Sequence, residues 1–209
     1  MNFTAIIDYG VGNLFSLSSS LRCLGVESVI TKDPTVIRNA DRIILPGVGA
    51  FGDAMQRLES TGLIPVLDQQ VAAGVPLLGI CLGMQMLFEG SQEYGEHKGL
   101  GYIKGQVCPL TEEPQVTEQQ LKVPHMGWNN LRVRKPDHPI MKYTKEDDYV
   151  YFVHSFYAKN CEESIVAEAE YGVTIPATVA SGNVFGCQFH PEKSGEVGIE
   201  ILRAFTEMR

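Results

Sequence analysis

Cys81, His190 and Glu192 are the residues whose types and setting are best suited to chemistry. Cys81 sits in Gly79-Ile80-Cys81-Leu82-Gly83, after the apolar strand-like run Val75-Pro76-Leu77-Leu78 and before the helical pattern Met84-Gln85-Met86-Leu87-Phe88-Glu89. A nucleophile with a glycine on each side, at a strand-to-helix corner, is an elbow. The turn is too tight for side chains at the flanking positions, so glycine is needed there. It would lift the sulfur out of the sheet and aim it at the next helix N-terminus, where unpaired N–H groups and the dipole favour thiolate. Pro191 biases His190 toward extended backbone, in which residues two apart point to one side. Glu192 can then hold one imidazole nitrogen while the other faces the sulfur, giving nucleophile, base and orienter in the chain order Cys, His, Glu. The competing reading is a buried core cysteine and a plain His-Pro-Glu turn. The two glycines together with the distal H-P-E weigh for catalysis.

A glycine loop admits two readings. Gly47-Val48-Gly49-Ala50-Phe51-Gly52 matches G-x-G-x-x-G between a strand and a helix, the dinucleotide pattern. The acid that should end the following strand is missing, because Asp68 falls inside the helical pattern Leu63 to Ala73. Pro46 also stiffens the turn and lacks an N–H. The other glycine loop, Gly10-Val11-Gly12, carries Phe15 where a third glycine is needed. An oxyanion hole suits Gly47-Val48-Gly49 better. Attack on an amide creates a negative oxygen, and backbone N–H groups of Leu82 and Val48 would stabilise it by a few kcal/mol each. Flanking glycines make a peptide flip there inexpensive.

These residues need a scaffold, and the first half of the chain supplies an alternating rhythm. Strands are predicted at Phe3 to Asp8, Glu27 to Lys32 and Arg42 to Leu45, before the strand feeding Cys81. Helices are predicted at Leu14 to Leu24, capped by Asn13 and closed by Gly25, then at Phe51 to Ser60 and Leu63 to Ala73. The second half is strand-rich: Lys104 to Leu110, Asn129 to Arg134, Tyr149 to Val153, Ser164 to Tyr171, Thr174 to Ser181 and Val184 to Phe189. A last amphipathic helix starts near Ser194, and Glu112 to Gln120 reads as a surface loop. The expected fold is an α/β domain spanning 1–209, an open, mostly parallel twisted sheet flanked by helices with a strand-rich C-terminal half. Sites in such sheets lie beyond the carboxyl ends of the strands. Cys81 and His190 both fall just after predicted strands.

The bulk numbers narrow the classes. The 209 residues are 44% hydrophobic and 20% charged, ordinary for one globular domain with a substantial core. A net charge of −8 argues against nucleic acid or an anionic membrane as partner. The basic run Arg132, Arg134, Lys135 is broken by apolar residues and reads as a solvated strand edge. Five scattered cysteines without a C-x-x-C pair fit a reducing cytosol, and Cys23, Cys108, Cys161 and Cys187 read as packing residues. No pair of histidines has metal-ligand spacing, so neither metal nor cofactor is expected. Met1-Asn2-Phe3-Thr4 shows no leader pattern, and the longest apolar stretch is too short to span a bilayer. A cytoplasmic protein is the expectation.

The chain resembles the class I, triad-type glutamine amidotransferases over essentially its whole length. Within that class it is similar to the glutaminase subunits of imidazole glycerol phosphate synthases. The cysteine and H-P-E motifs carry the class. Asp8-Tyr9-Gly10-Val11-Gly12-Asn13, Pro124-His125-Met126-Gly127-Trp128-Asn129 and Pro191-Glu192-Lys193-Ser194 carry the subgroup. The resemblance implies a flavodoxin-like fold in which Cys81 attacks the glutamine carboxamide while His190 moves the protons. It implies that Gln85, Glu93 and backbone groups around Ser155 and Phe156 hold glutamine, with Gly49 lining the pocket. It further implies a heterodimer with a (β/α)8-barrel cyclase subunit that uses the ammonia in histidine biosynthesis. That cyclase makes imidazole glycerol phosphate and an aminoimidazole carboxamide ribonucleotide from a phosphoribulosyl formimino precursor. Trp128, Asn129 and Lys193 are then interface residues. The rival readings are the glutaminase subunit of another ammonia-channelling synthase, a stand-alone γ-glutamyl hydrolase, and a catalytically dead binding subunit. The intact triad types count against the last.

Overall fold

The computed structural model describes residues 2–208. The first half alternates as the sequence predicts, with one helix added between the second and third strands: β1 (Thr4–Ile7), α1 (Leu14–Cys23), β2 (Ser28–Thr31), α2 (Pro34–Arg38), β3 (Arg42–Gly47), α3 (Phe51–Ser60), α4 (Ile64–Ala72), β4 (Leu77–Cys81) and α5 (Leu82–Met86). Three short strands follow, β5 (Gly90–Ser91), β6 (His97–Lys98) and β7 (Gln106–Pro109), then the one-turn helix α6 (Pro114–Glu118). The second half holds β8 (His125–Asn130), β9 (Arg132–Val133), β10 (Tyr149–His154), β11 (Phe156–Lys159), β12 (Ile165–Glu170), β13 (Thr174–Ser181), β14 (Val184–Cys187) and α7 (Gly195–Thr206).

The main sheet has eight strands in the order β2-β1-β3-β4-β14-β13-β12-β9. Its β2-to-β14 portion is parallel, and the pairings from β14 through β13 and β12 to β9 are antiparallel. The sheet is therefore mixed, and the parallel character belongs to the half that carries the nucleophile. β14 is inserted beside β4, register Cys187 against Ile80, so the nucleophile's strand and the strand leading to His190 are neighbours at the sheet centre. A ribbon of β8 and β10 and a four-stranded sheet β11-β7-β5-β6 stand apart from it.

Alternation along the central strands feeds two cores. Ile6, Ile44, Leu78 and Ile80 turn toward Leu17 and Leu21 of α1 and Ile201, Leu202 and Phe205 of α7. Ile7, Ile43, Leu45 and Leu77 turn the other way, onto Phe51 and Leu58 of α3 and Leu67 of α4. Burial on both faces is what a parallel sheet requires. Among the described residues, no helix is long and apolar enough to cross a membrane.

Several expectations change. The helix after Cys81 starts at Leu82, directly on the nucleophile, not at Met84. The polar stretch 112–120 contains α6, because Val116 is drawn into the core as a single-turn anchor. Asn13 does not cap α1, since its side chain is spent elsewhere. Cys23 is exposed and Cys108 only half-buried, so only Cys161 and Cys187 of the four behave as packing residues. β8 begins at His125, not Asn129, and strands β5, β6 and β11 have no counterpart in the prediction.

Candidate active site

The elbow forms as the glycines require. Cys81 adopts φ 54° and ψ −112°, a left-handed backbone that a non-glycine residue occupies only under constraint. The constraint is close packing of the turn beneath it. A Cβ on Gly79 would lie 2.6 Å from the Gly83 carbonyl oxygen, and one on Gly83 would overlap the Leu45 carbonyl. Gly83→Ala is therefore expected to cost more than about 3 kcal/mol of stability, read by chemical denaturation. A loss below about 1 kcal/mol would mean that the elbow is not held by this contact.

The far end of the chain supplies the base. His190 Nδ1 lies 2.8 Å from Glu192 Oε1, with both side chains buried. The segment is clamped to β10: His190 N donates to Tyr151 O at 3.0 Å, Tyr151 N to Ser194 Oγ at 3.0 Å, and Ser194 Oγ to His190 O at 2.7 Å. Asn13 Nδ2 reaches Glu192 Oε1 at 3.4 Å, so the residue expected to cap α1 steadies the orienting carboxylate instead. His190 Nε2 is buried with no hydrogen bond to another side chain or the backbone, which leaves it for the sulfur. Burial alone would lower the His190 pKa. Its interactions with Cys81 and Glu192 outweigh that and hold it up at about 9. The shift favours the protonated ring, the counter-ion that an attacking thiolate needs.

A cavity of about 380 Å³ opens over the sulfur. It is lined by Cys81 and His190 together with Val48, Gly49, Leu82, Gln85, Glu93, Ser155 and Phe156, all expected at the site, and by Lys193, which was expected at the partner interface. Glu192 lies behind His190, as an orienter should. Val48 is exposed at the rim, and Gly49 takes φ 98° although nothing crowds a Cβ there, so the conformation is what selects glycine. Tyr9 anchors the base of this loop by donating from its hydroxyl to Pro46 O at 2.6 Å. Leu82 opens α5, and a first-turn N–H has no intrahelical partner to compete for it. Glu93 serves twice. It lines the cavity while its Oε2 accepts from Phe51 N at 2.6 Å, capping α3. Burial raises its pKa, and the Phe51 N–H and His97 offset that in part. A second cavity, about 480 Å³ and lined by Pro76, Asn183 and Phe185, lies at the amino ends of β4 and β14 and holds no nucleophile.

Trp128 and Asn129 stand outside the cavity and on opposite faces of β8. Met126 and Trp128 are exposed, whereas Asn129 turns inward to donate to Glu170 O at 2.9 Å. Trp128 packs edge-on to Tyr151, over which Lys193 Nζ lies 6.0 Å from the ring centroid. Gln188 went unnoticed in the sequence. It is fully buried, and its Nε2 lies 4.0 Å from Cys81 Sγ. Its signal was a lone polar residue in the apolar run Val184 to Phe189, two positions before His190.

These features match a known family. The model of "Glutamine amidotransferase class-I" covers residues 5–208. The chain is a class I glutamine amidotransferase. It is 49% identical over 208 residues to imidazole glycerol phosphate synthase subunit HisH of Lactococcus lactis subsp. lactis (strain IL1403), covering 99% of each chain. It is 50% identical over 204 residues to the subunit of the same name from Bacillus subtilis (strain 168), covering 97% of this chain and 95% of that one. Among solved structures, PurLQS from Thermotoga maritima superposes with a TM-score of 0.75 at 21% identity, covering 98% of both chains, a likeness of fold.

This amidotransferase also buries His154 in the cavity wall and His125 behind it. Burial lowers their pKa values to about 4 and about 3, and at His154 the neighbouring His125 adds to the effect. Both rings are neutral when folded and titrate at the ordinary 6.5 when unfolded. Their contribution to stability is complete above pH 6.5 and is lost progressively as the pH falls through about 4 and 3. Denaturation midpoints should drop steeply from pH 6.5 to 4.5, and His125→Phe should flatten that slope. An unchanged slope would contradict burial of a neutral ring at this position.

Proposed function

We propose that the chain is the glutaminase subunit of an imidazole glycerol phosphate synthase, hydrolysing glutamine to glutamate and passing ammonia to a (β/α)8-barrel cyclase. The observation that carries the chemistry is Cys81 and His190 lining one cavity, with Glu192 hydrogen-bonded to His190 from behind. Identity near one half over the whole chain to HisH subunits supports the choice of synthase.

The geometry supports the following sequence. The Cys81 thiolate adds to the side-chain carboxamide carbon of glutamine, and the oxygen takes up the negative charge against the N–H groups of Leu82 and Val48. The C–N bond breaks as imidazolium His190 gives its proton to the departing ammonia, leaving a γ-glutamyl thioester. Neutral His190 then takes a proton from water, hydroxide adds to the thioester, and glutamate leaves as the thiolate is restored. Gln85, Glu93 and the Ser155-Phe156 backbone hold the substrate, and Gly49 leaves room for it. The sum is glutamine plus water giving glutamate plus ammonia, with no cofactor.

The cyclase would seat on the outer face of β8 and β10, where Met126, Trp128 and Tyr149 are exposed. Val153 on β10 and Lys193 line the cavity at the edge of that face, so the site opens toward the partner. Residues 1–209 act as one amidotransferase domain, and five free cysteines suit the cytoplasm. Adding the cyclase with its nucleotide ligand is expected to speed glutamine hydrolysis by roughly 5–150-fold, with Trp128→Ala weakening the complex by about 2 kcal/mol or more in calorimetry. Turnover indifferent to the cyclase would favour a stand-alone hydrolase.

A further inference from the structure

A run of hydrogen bonds leads from β8 to the cavity, and its polarity is fixed at every link. Asn129 Oδ1 accepts from Asn130 N at 2.9 Å and Nδ2 donates to Glu170 O at 2.9 Å, so the amide cannot be reversed. Nδ2 also lies 3.3 Å from His125 Nε2, which must accept. The His125 proton therefore sits on Nδ1, 2.9 Å from His154 Nε2, which accepts in turn. That places the His154 proton on Nδ1, 2.9 Å from Phe156 O. One proton arrangement, with two neutral rings, satisfies the whole chain.

The Phe156 carbonyl is the junction with the site. It also accepts from Gln85 Nε2 at 2.9 Å, and the same nitrogen donates to Gln188 Oε1 at 3.1 Å. Both N–H bonds of Gln85 are thus committed, and its Oε1 is left to accept from whatever enters the cavity. Gln188 continues to the nucleophile, its Nε2 4.0 Å from Cys81 Sγ.

We propose that His125 and His154 are positioning residues of the glutaminase, a directional relay by which the seating of β8 fixes the Phe156 carbonyl and the Gln85 amide that receive glutamine. The proposal rests on the reading of the cavity as a glutamine site. It goes beyond it in giving two buried imidazoles, His154 at the cavity wall and His125 behind it, a part in substrate binding. β8 carries Trp128 on its outer face and His125 and Asn129 on its inner one. A partner pressing on the first moves the second.

A space-filling role makes a different forecast. His125 stacks between Phe152 and Tyr171, with ring centroids 4.7 and 3.9 Å away, so His125→Phe keeps the stack and loses both nitrogens. His125→Asn loses the stack but keeps an N–H at the position of Nδ1. The relay predicts that His125→Phe raises the glutamine KM about tenfold with kcat within about twofold, and that His125→Asn restores KM to within about threefold of wild type. The full chain is assayed alone and with the cyclase, with ammonia-dependent synthesis as the control for folding. A normal KM in His125→Phe, or equal damage in both variants, would overturn the relay. Nitrogen-15 spectra of labelled histidine test it without any turnover. Both rings should be Nδ1–H tautomers, and an Nε2–H ring at either position overturns the relay even if the chain proves not to be a glutaminase.

Discussion

Cys81→Ala is expected to abolish glutamine-dependent synthesis, with turnover falling by at least about 10³-fold, while synthesis from added ammonia by the assembled synthase stays near wild type. The split follows from where the residue stands. Cys81 is the last residue of β4, its Sγ lines the cavity, and its removal subtracts one side chain from an elbow held by backbone contacts of Gly79 and Gly83. The fold and the outer face of β8 remain to support the cyclase. Equal loss with both nitrogen sources would mean that Cys81 is structural.

Glu192→Ala is expected to produce the next largest effect, a fall of roughly 10³–10⁴-fold in kcat. Glu192 contributes both orientation and charge to His190, through one oxygen 2.8 Å from Nδ1. Glu192→Gln separates the two. Its amide oxygen can still accept from His190 and Asn13, so orientation survives while the charge is lost, and activity should fall between Glu192→Ala and wild type. The pH profile should move as well. Folding raises His190 from 6.5 to about 9, so its stabilising charge is fully present below pH 6.5 and is lost as pH rises through about 9. Glu192→Gln removes one of the two interactions that raise it, and the alkaline limb of kcat/KM should shift to lower pH. An unshifted limb would show that Glu192 does not set the charge on the imidazole.

How much of this was legible in the sequence depended on range. The elbow is local: two glycines, a strand and a helix lie within ten residues, and local sterics fix the rest. The triad was legible because residue types and a proline restrict two short segments, and β14 beside β4 completed it. Asn13 misled because its spacing suits a helix cap, whereas its actual partner is 179 residues away. Gln188 was hidden just past the end of β14, where its surroundings are known only once β4, β10 and β14 are assembled. Strand β8 was misplaced for a related reason. Gly127, at φ 133°, and the polar ends of P-H-M-G-W-N break the alternation that marks a strand, and only pairing with Val150, Phe152 and His154 makes it one. The mixed character of the sheet has the same origin, since the turn into antiparallel pairing at β13 is decided by contacts and not by composition.

The most direct test of covalent catalysis is the site of the acyl group during turnover. Full-length protein mixed with glutamine, quenched in acid, digested and weighed by mass spectrometry should carry a γ-glutamyl group on the peptide containing Cys81. The peptides containing Cys23, Cys108, Cys161 and Cys187 should be unmodified. Sustained turnover with the group on another residue, or in Cys81→Ala protein, would contradict the account.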